Sequence, residues 1–202
     1  RPSIDIECVL CGNKKSRFLF LKRGYQIFQC SCCSLLFVHP QPSPDHLKKY
    51  YDEQSYRRGN KYAYTFKDNE IQYGQKTNDQ RRVAFINKYC YGGGSLLDVG
   101  CANGLFLYQA RDTYKVSGVE LSKITSADAR SLGLDVMEGE AKDVPHTKQF
   151  DMVTGWDIIE HVRQPVAFLQ DVNRLLKVGG YAFLETGNID GFIPRLSLKH
   201  WS

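Results

Sequence analysis

The segment LLDVGCANGLF, residues 96–106, restricts the fold of this chain more than any other stretch. An apolar run ends in Asp98 and gives way to Gly100, Ala102 and Gly104 at every second position. A short apolar run closed by glycine reads as a buried strand, and the GLFLYQARDT that follows reads as a helix. Small residues between strand and helix let a backbone pass close to a ligand. Such a strand needs a sheet to join.

Residues 76–202 provide one. DQRRVAFINKYC carries Val83, Phe85, Ile86 and Tyr89 at mixed helical spacing, before the break at Gly92, Gly93 and Gly94. KVSGVEL reads as a strand, ITSADARSLG as a helix and LDVMEG as a short strand. FDMVTGWD is another strand, QPVAFLQDVNRLLK an amphipathic helix and GYAFLETG a fifth strand. This alternation predicts an α/β fold, a doubly wound, Rossmann-like parallel sheet. Ligands of such sheets sit beyond the carboxyl ends of the strands, where the Gly100–Gly104 loop falls. A dinucleotide loop spaces its glycines GxGxxG, and its third small position is here Leu105. The spacing is wrong for NAD.

The N-terminal part is of another kind. Five of the seven cysteines lie within residues 8–33. Cys8 and Cys11 have CxxC spacing, as do Cys30 and Cys33, with 18 residues between the pairs. Two such turns aim four thiolates at one point, the pattern of structural Zn²⁺, and leave no position open for substrate. Cys32 could replace Cys33 in a CxC arrangement. Cys33 is preferred because Ser34 follows it as Gly12 follows Cys11. RFLFLKRGYQIFQ, between the pairs, alternates apolar and polar residues about Arg23-Gly24, as a β-hairpin does. The alternative is buried or redox thiols that bind no metal.

A zinc-ribbon hairpin module over 1–42 is therefore expected, then a connecting or cap segment over 43–75 and the sheet domain over 76–202. Pro40, Pro42 and Pro44 predict an extended connection, with Ser43 or Asp45 capping a short helix. The polar, Tyr-rich stretch 52–75 reads either as a mobile cap over a cleft or as solvated connection.

DVGCANG resembles the first motif of the class I S-adenosylmethionine (SAM)-dependent methyltransferases, an acidic residue followed by GxGxG. Ala102 replaces the central glycine and is tolerable at negative φ. Glu120, 22 residues after Asp98, falls at the family's second-strand carboxylate, with Leu121 beside it. GEAKDVP resembles the segment beside adenine, FDMVTGWDIIEHV the fourth-strand motif, and LLKVGGYAFLE the helix, turn and fifth strand.

The resemblance implies SAM held by Asp98, Gly100, Cys101, Ala102, Gly104, Glu120, Leu121, Glu140, Ala141 and Asp157. Glu120 would accept from the ribose hydroxyls, Glu140 from the adenine amino group, and Asp98 would lie near the methionine amino end. Plainer readings stand beside these. Asp98 or Asp157 could cap a helix, Glu120 could be a solvated strand-end charge, Asp143 offers a carboxylate near Glu140, and Trp156 and Cys101 read as packing. His161 is the candidate base for a hydroxyl acceptor, with Glu160 as alternative; otherwise it ends a short helix.

A zinc ribbon, a Pro-rich connection and a Tyr-rich stretch before the SAM domain resemble bacterial methyltransferases acting on sugars, polysaccharide units or other small metabolites. An RNA acceptor is the second reading, through Lys14, Lys15, Arg17, Lys22 and Arg23 on the ribbon. A silent SAM-fold scaffold is the third. The net charge of +5 argues for no nucleic-acid partner by itself, and no apolar run approaches the ~18 residues that span a bilayer. Clustered cysteines with no visible secretory signal predict a reducing, cytoplasmic compartment. Arg1 in place of Met, and an end at LSLKHWS soon after the fifth strand, predict a chain truncated at both ends.

Overall fold

A computed structural model describes residues 3–52, 73–90 and 92–188. The 52–75 cap lies almost entirely outside these residues. The described chain forms two sheets.

The first is antiparallel, with strands β1 (Ser3–Asp5), β2 (Lys15–Lys22), β3 (Tyr25–Cys30) and β4 (Leu36–Val38) in sequential order. The β2–β3 hairpin closes where Lys22 pairs with Tyr25, leaving Arg23 and Gly24 as its two-residue turn. Both have positive φ, 48° and 85°, the left-handed geometry whose twist matches paired strands. The hairpin expected about Arg23-Gly24 is present. Its core is Phe28 and Phe37 with Cys8 and Cys30, and Phe18 packs edge-on against Phe28.

The connection that follows is not extended throughout. It bends at His39–Pro40, a cis peptide, and then enters helix α1 (Pro44–Asp52). Ser43 is the cap: its Oγ accepts from the His46 N–H at 3.2 Å and its carbonyl from the Leu47 N–H. Pro44 takes the first helical position, where a missing N–H costs nothing.

The second sheet begins after helix α2 (Tyr73–Ile86). Strands β5 (Ser95–Val99), β6 (Lys115–Glu120), β7 (Val136–Glu138), β8 (Phe150–Trp156) and β9 (Leu176–Glu185) alternate with helices α3 (Leu105–Ala110), α4 (Lys123–Ser131) and α5 (Pro165–Leu175). All pairings are parallel, in the order β7-β6-β5-β8-β9. The chain winds outward from β5 to β7, then crosses back to β8 on the other side of β5. That reversal makes the carboxyl end of β5 the switch point. Leu96 packs among Ile86, Leu107 and Met152 on one face, and Leu97 among Val153, Val172 and Leu175 on the other. Helices cover both faces, so β5 reads as a continuous apolar run instead of an alternation.

One boundary differs from the sequence pattern. The amphipathic run extends to Lys177, but α5 ends at Leu175 because the Leu176 backbone already pairs with Phe150. Pairing resumes at Met152 and Tyr181, and residues 177–180 bulge outward. Lys177 folds back onto Asp151, which also accepts from the Ser95 backbone and hydroxyl at 2.8 and 2.7 Å. Asp151 thus fastens β8 to both neighbours. Among the described residues, no helix is long and apolar enough to cross a membrane.

Candidate functional site

In the first sheet the sulfurs of Cys8, Cys11, Cys30 and Cys33 lie within 4.8 Å of one another. Cys8 and Cys33 are 3.6 Å apart, Cys11 and Cys30 3.5 Å. Tetrahedral zinc with bonds of about 2.3 Å sets its sulfurs about 3.8 Å apart, so the set fits the ion. The two knuckles match in backbone as well. The Gly12 N–H donates to the Cys8 carbonyl and the Ser34 N–H to that of Cys30, with φ of 69° and 62° at the two donors. Backbone N–H groups, of Cys33 first and then Cys32, hold the Cys30 thiol down at about 6, which favours the thiolate that a metal needs. The Cys32 thiol lies outside the cluster and is exposed.

At the switch point, Asp98 is 2% exposed and accepts from the Thr154 hydroxyl at 2.7 Å. Burial pushes its carboxyl up to about 8. It caps nothing: the residue capping α3 is Gly104, at φ 79° and without a side-chain bond. Glu120 is no solvated charge either. One of its oxygens accepts from the Ala102 N–H at 2.9 Å and the other from the Ser122 N–H at 2.8 Å. Burial raises its pKa, against the pull of these donors. The Thr125 side chain and the Leu121 N–H act on the same carboxylate and also pull its pKa down.

The loop itself departs from expectation in two ways. Its glycines are demanded first by the protein. A Cβ on Gly100 would meet Ile158 Cδ1 at 2.7 Å, and one on Gly104 would meet Leu134 Cδ1 at 2.5 Å. Ala102, tolerable at negative φ, instead has φ 47°, a left-handed conformation that costs an L-residue roughly 1–2 kcal/mol. Cys101 is buried with its thiol pKa raised well above normal by desolvation, and Gly118 leaves room for its sulfur. That agrees with packing. Leu121 is half-buried beside Glu120.

Glu140 is exposed and paired with Lys142. Asp143 accepts from the Glu140 N–H at 2.9 Å and is committed to that turn. Ala141 is buried, and its carbonyl accepts from Arg174 of α5 at 3.0 Å. Asp157 has φ 54° and does not cap the turn Ile159–His161, whose cap residue is Ile158. His161 is exposed at the end of that turn, its ring perpendicular to Tyr51 at 6.3 Å.

The sequence pattern missed a buried polar centre on α2. Arg82 is 8% exposed, lies 4.8 Å over the Trp156 ring, and donates to Asp157 at 3.0 Å and Glu185 at 2.5 Å. It also pairs with Asp79, which is fully buried and accepts from Gln109. Arg82 Nε, Trp156 Nε1 and Gln109 Oε1 are buried with no partner among the described residues. The signal existed: positions 79, 82, 83 and 86 form an i, i+3, i+4, i+7 stripe, half charged and half apolar.

A methyltransferase-domain family model matches residues 71–202. Ubiquinone biosynthesis O-methyltransferases of Vibrio cholerae and Azoarcus sp. (strain BH72) are 33% and 34% identical over 107 and 117 residues. Those stretches cover 48% and 53% of this chain and 43% and 50% of theirs, so the chain spans about half the length of these curated relatives. Two SAM-bound structures share the fold. An amino pentose methyltransferase from Micromonospora echinaspora has a TM-score of 0.52 and 23% identity, covering 56% of this chain and 51% of that one. Magnesium protoporphyrin IX methyltransferase from Synechocystis PCC 6803 has a TM-score of 0.54 and 14% identity, covering 69% and 74%.

Elemental analysis of single variants tests the ribbon: Cys33→Ser is expected to lose most bound zinc and Cys32→Ser to retain it. The reverse pattern would move the fourth ligand to Cys32. In the loop, Ala102→Gly relieves the left-handed strain and is expected to raise stability by ~0.5–1 kcal/mol in urea unfolding. A loss of stability would mean that the methyl group packs well enough to outweigh the strain.

Proposed function

Since the chain belongs to the class I SAM-dependent methyltransferases, we propose that it methylates a small-molecule acceptor, sugar-related in the first instance, with SAM as donor. The observation that carries this reading is the pairing of Asp98 and Glu120 about the glycine loop at the switch point. The similarity to O-methyltransferases of ubiquinone biosynthesis supports a hydroxyl on a small molecule as the methyl acceptor.

SAM bound in this cleft supplies a methyl group activated on a sulfonium, so the chain's own work is orientation and proton handling. Glu120 takes the ribose hydroxyls while its contacts with the Ala102 and Ser122 amides hold the loop. Asp98 receives the methionine ammonium. Ala141 leaves room for the adenine ring, with Glu140 at its edge, and Asp157 stands on the methionine side. Gly100, Cys101, Ala102, Gly104 and Leu121 shape the walls. Arg82 keeps the ends of β8 and β9 in place through Asp157 and Glu185. His161, exposed beyond β8, takes the proton of an acceptor hydroxyl. The ribbon holds zinc through Cys8, Cys11, Cys30 and Cys33 as a structural ion.

Calorimetric titration with S-adenosylhomocysteine (SAH) is the test, with NAD as control. Micromolar binding of SAH and none of NAD are expected; a folded protein that binds neither overturns the reading. The signature of Asp98 lies in the protons. At pH 7 a carboxyl with its pKa at about 8 is mostly protonated. An ammonium beside it favours the ionised form, so binding is expected to release a fraction of a proton approaching one. Enthalpies measured in buffers of different ionisation heat read that release, and Asp98→Asn should abolish it. With an acceptor in hand, His161→Ala is expected to cut turnover by about 10²-fold or more with SAH affinity unchanged. Unaltered turnover would leave His161 a turn-ending residue.

A further inference from the structure

Four contacts among the described residues tie the stretch between the two sheets to the second sheet. Gln41 Nε2 donates to the Arg163 carbonyl at 3.1 Å. Lys48 pairs with Glu138 at 3.3 Å. Tyr51 sets its ring perpendicular to His161. Asp52 accepts from the Lys123 N–H at 2.9 Å, on the first turn of α4, where a carboxylate also meets the positive end of the helix.

All four partners lie at the carboxyl-end side of the sheet. Glu138 ends β7, Lys123 follows β6, and His161 and Arg163 follow β8. In the sheet order, β6 and β8 flank β5. Tyr51 and Asp52 are adjacent in sequence, yet they touch the loop after β8 and the loop after β6. The last turn of α1 therefore crosses the carboxyl end of β5, over the Gly100–Gly104 loop.

We propose that α1 is a strap across the cofactor cleft, mounted on the ribbon, which opens to let the cofactor in and its product out. This rests on the cleft being the SAM site. α1 buries none of its side chains, so apolar packing does not hold it shut. Its Lys48–Glu138 pair is half-exposed, so solvent screens it and it holds only weakly. The contacts named above are polar or edge-on aromatic and lie at or near the surface, so α1 opens without unfolding the sheet beneath. The same contacts bias it toward closure, and that bias sets how long a ligand stays. The ribbon contributes by carrying the start of the strap, since Gln41 and Ser43 stand between it and α1.

Dissociation of SAH, followed by stopped-flow displacement on the whole chain, tests the strap. Lys48→Glu turns the attraction to Glu138 into repulsion and is expected to speed release about three- to tenfold. Adding Glu138→Lys to that variant reverses both charges and is expected to restore the original rate. Equal rates in the unmutated chain and Lys48→Glu overturn the strap and leave the reading of the cleft standing. Failure of the double variant to restore the rate overturns it as well. If the unmutated chain binds no SAH, the cleft reading falls and the strap with it.

Discussion

The geometry of the cleft depends on one carboxylate. Five residues turn the end of β5 into the start of α3, and three of them, Gly100, Ala102 and Gly104, sit at positive φ. The Gly100 and Cys101 amides donate to the Val119 carbonyl of β6 and the Gly104 amide to that of Cys101, while α3 lacks a side-chain cap. Glu120 adds the side-chain restraint from the same neighbouring strand, gripping the Ala102 amide with one oxygen and the Ser122 amide with the other. It thereby couples the loop after β5 to the start of α4. Burial of that carboxylate strengthens each bond and makes an unpaired state costly. Asp98 lies at the end of β5, held by the Thr154 hydroxyl.

Much of this was legible in the sequence. The strand and helix order, the hairpin about Arg23-Gly24 and the four-sulfur cluster come from spacing and periodicity, and the placing of Asp98 and Glu120 comes from the resemblance to the methyltransferases. What escaped did so for physical reasons. Asp79 and Arg82 are charged residues on the buried side of α2, and a search for apolar stripes passes over them. Their burial is tolerated only because Asp157, Glu185 and Gln109 meet them from elements far along the chain. Local pattern cannot register such partners. The end of α5 was misplaced for the same reason, since a pairing between Leu176 and Phe150 competes with the helix at a distance of 26 residues. Ala102 shows a third limit: a residue type reports what is comfortable, whereas the loop's hydrogen bonds decide which φ it adopts.

The ribbon and the sheet solve the problem of stability at different scales. The sheet domain buries two extensive apolar layers. The ribbon buries only Phe28, Phe37 and two of its cysteines, too little to order four strands unaided. Its sulfur cluster is therefore best understood as the missing part of its core. A hairpin closed by such a cluster is stiff for its size, which suits it to carry the strap proposed for α1.

The acidity of the cleft has a consequence for the cycle as a whole. The chain is basic overall, with a net charge of +5. Yet Asp79, Asp98, Glu120, Asp157 and Glu185 gather about the ends of the central strands, and the same electrostatic neighbourhood holds the Arg82 guanidinium. Surroundings of that sign hold a sulfonium more firmly than a neutral thioether. On the proposed chemistry, the act of methyl transfer discharges the ligand and weakens its own hold. Turnover is then assisted by charge: the spent cofactor leaves a cleft whose attraction it has just lost.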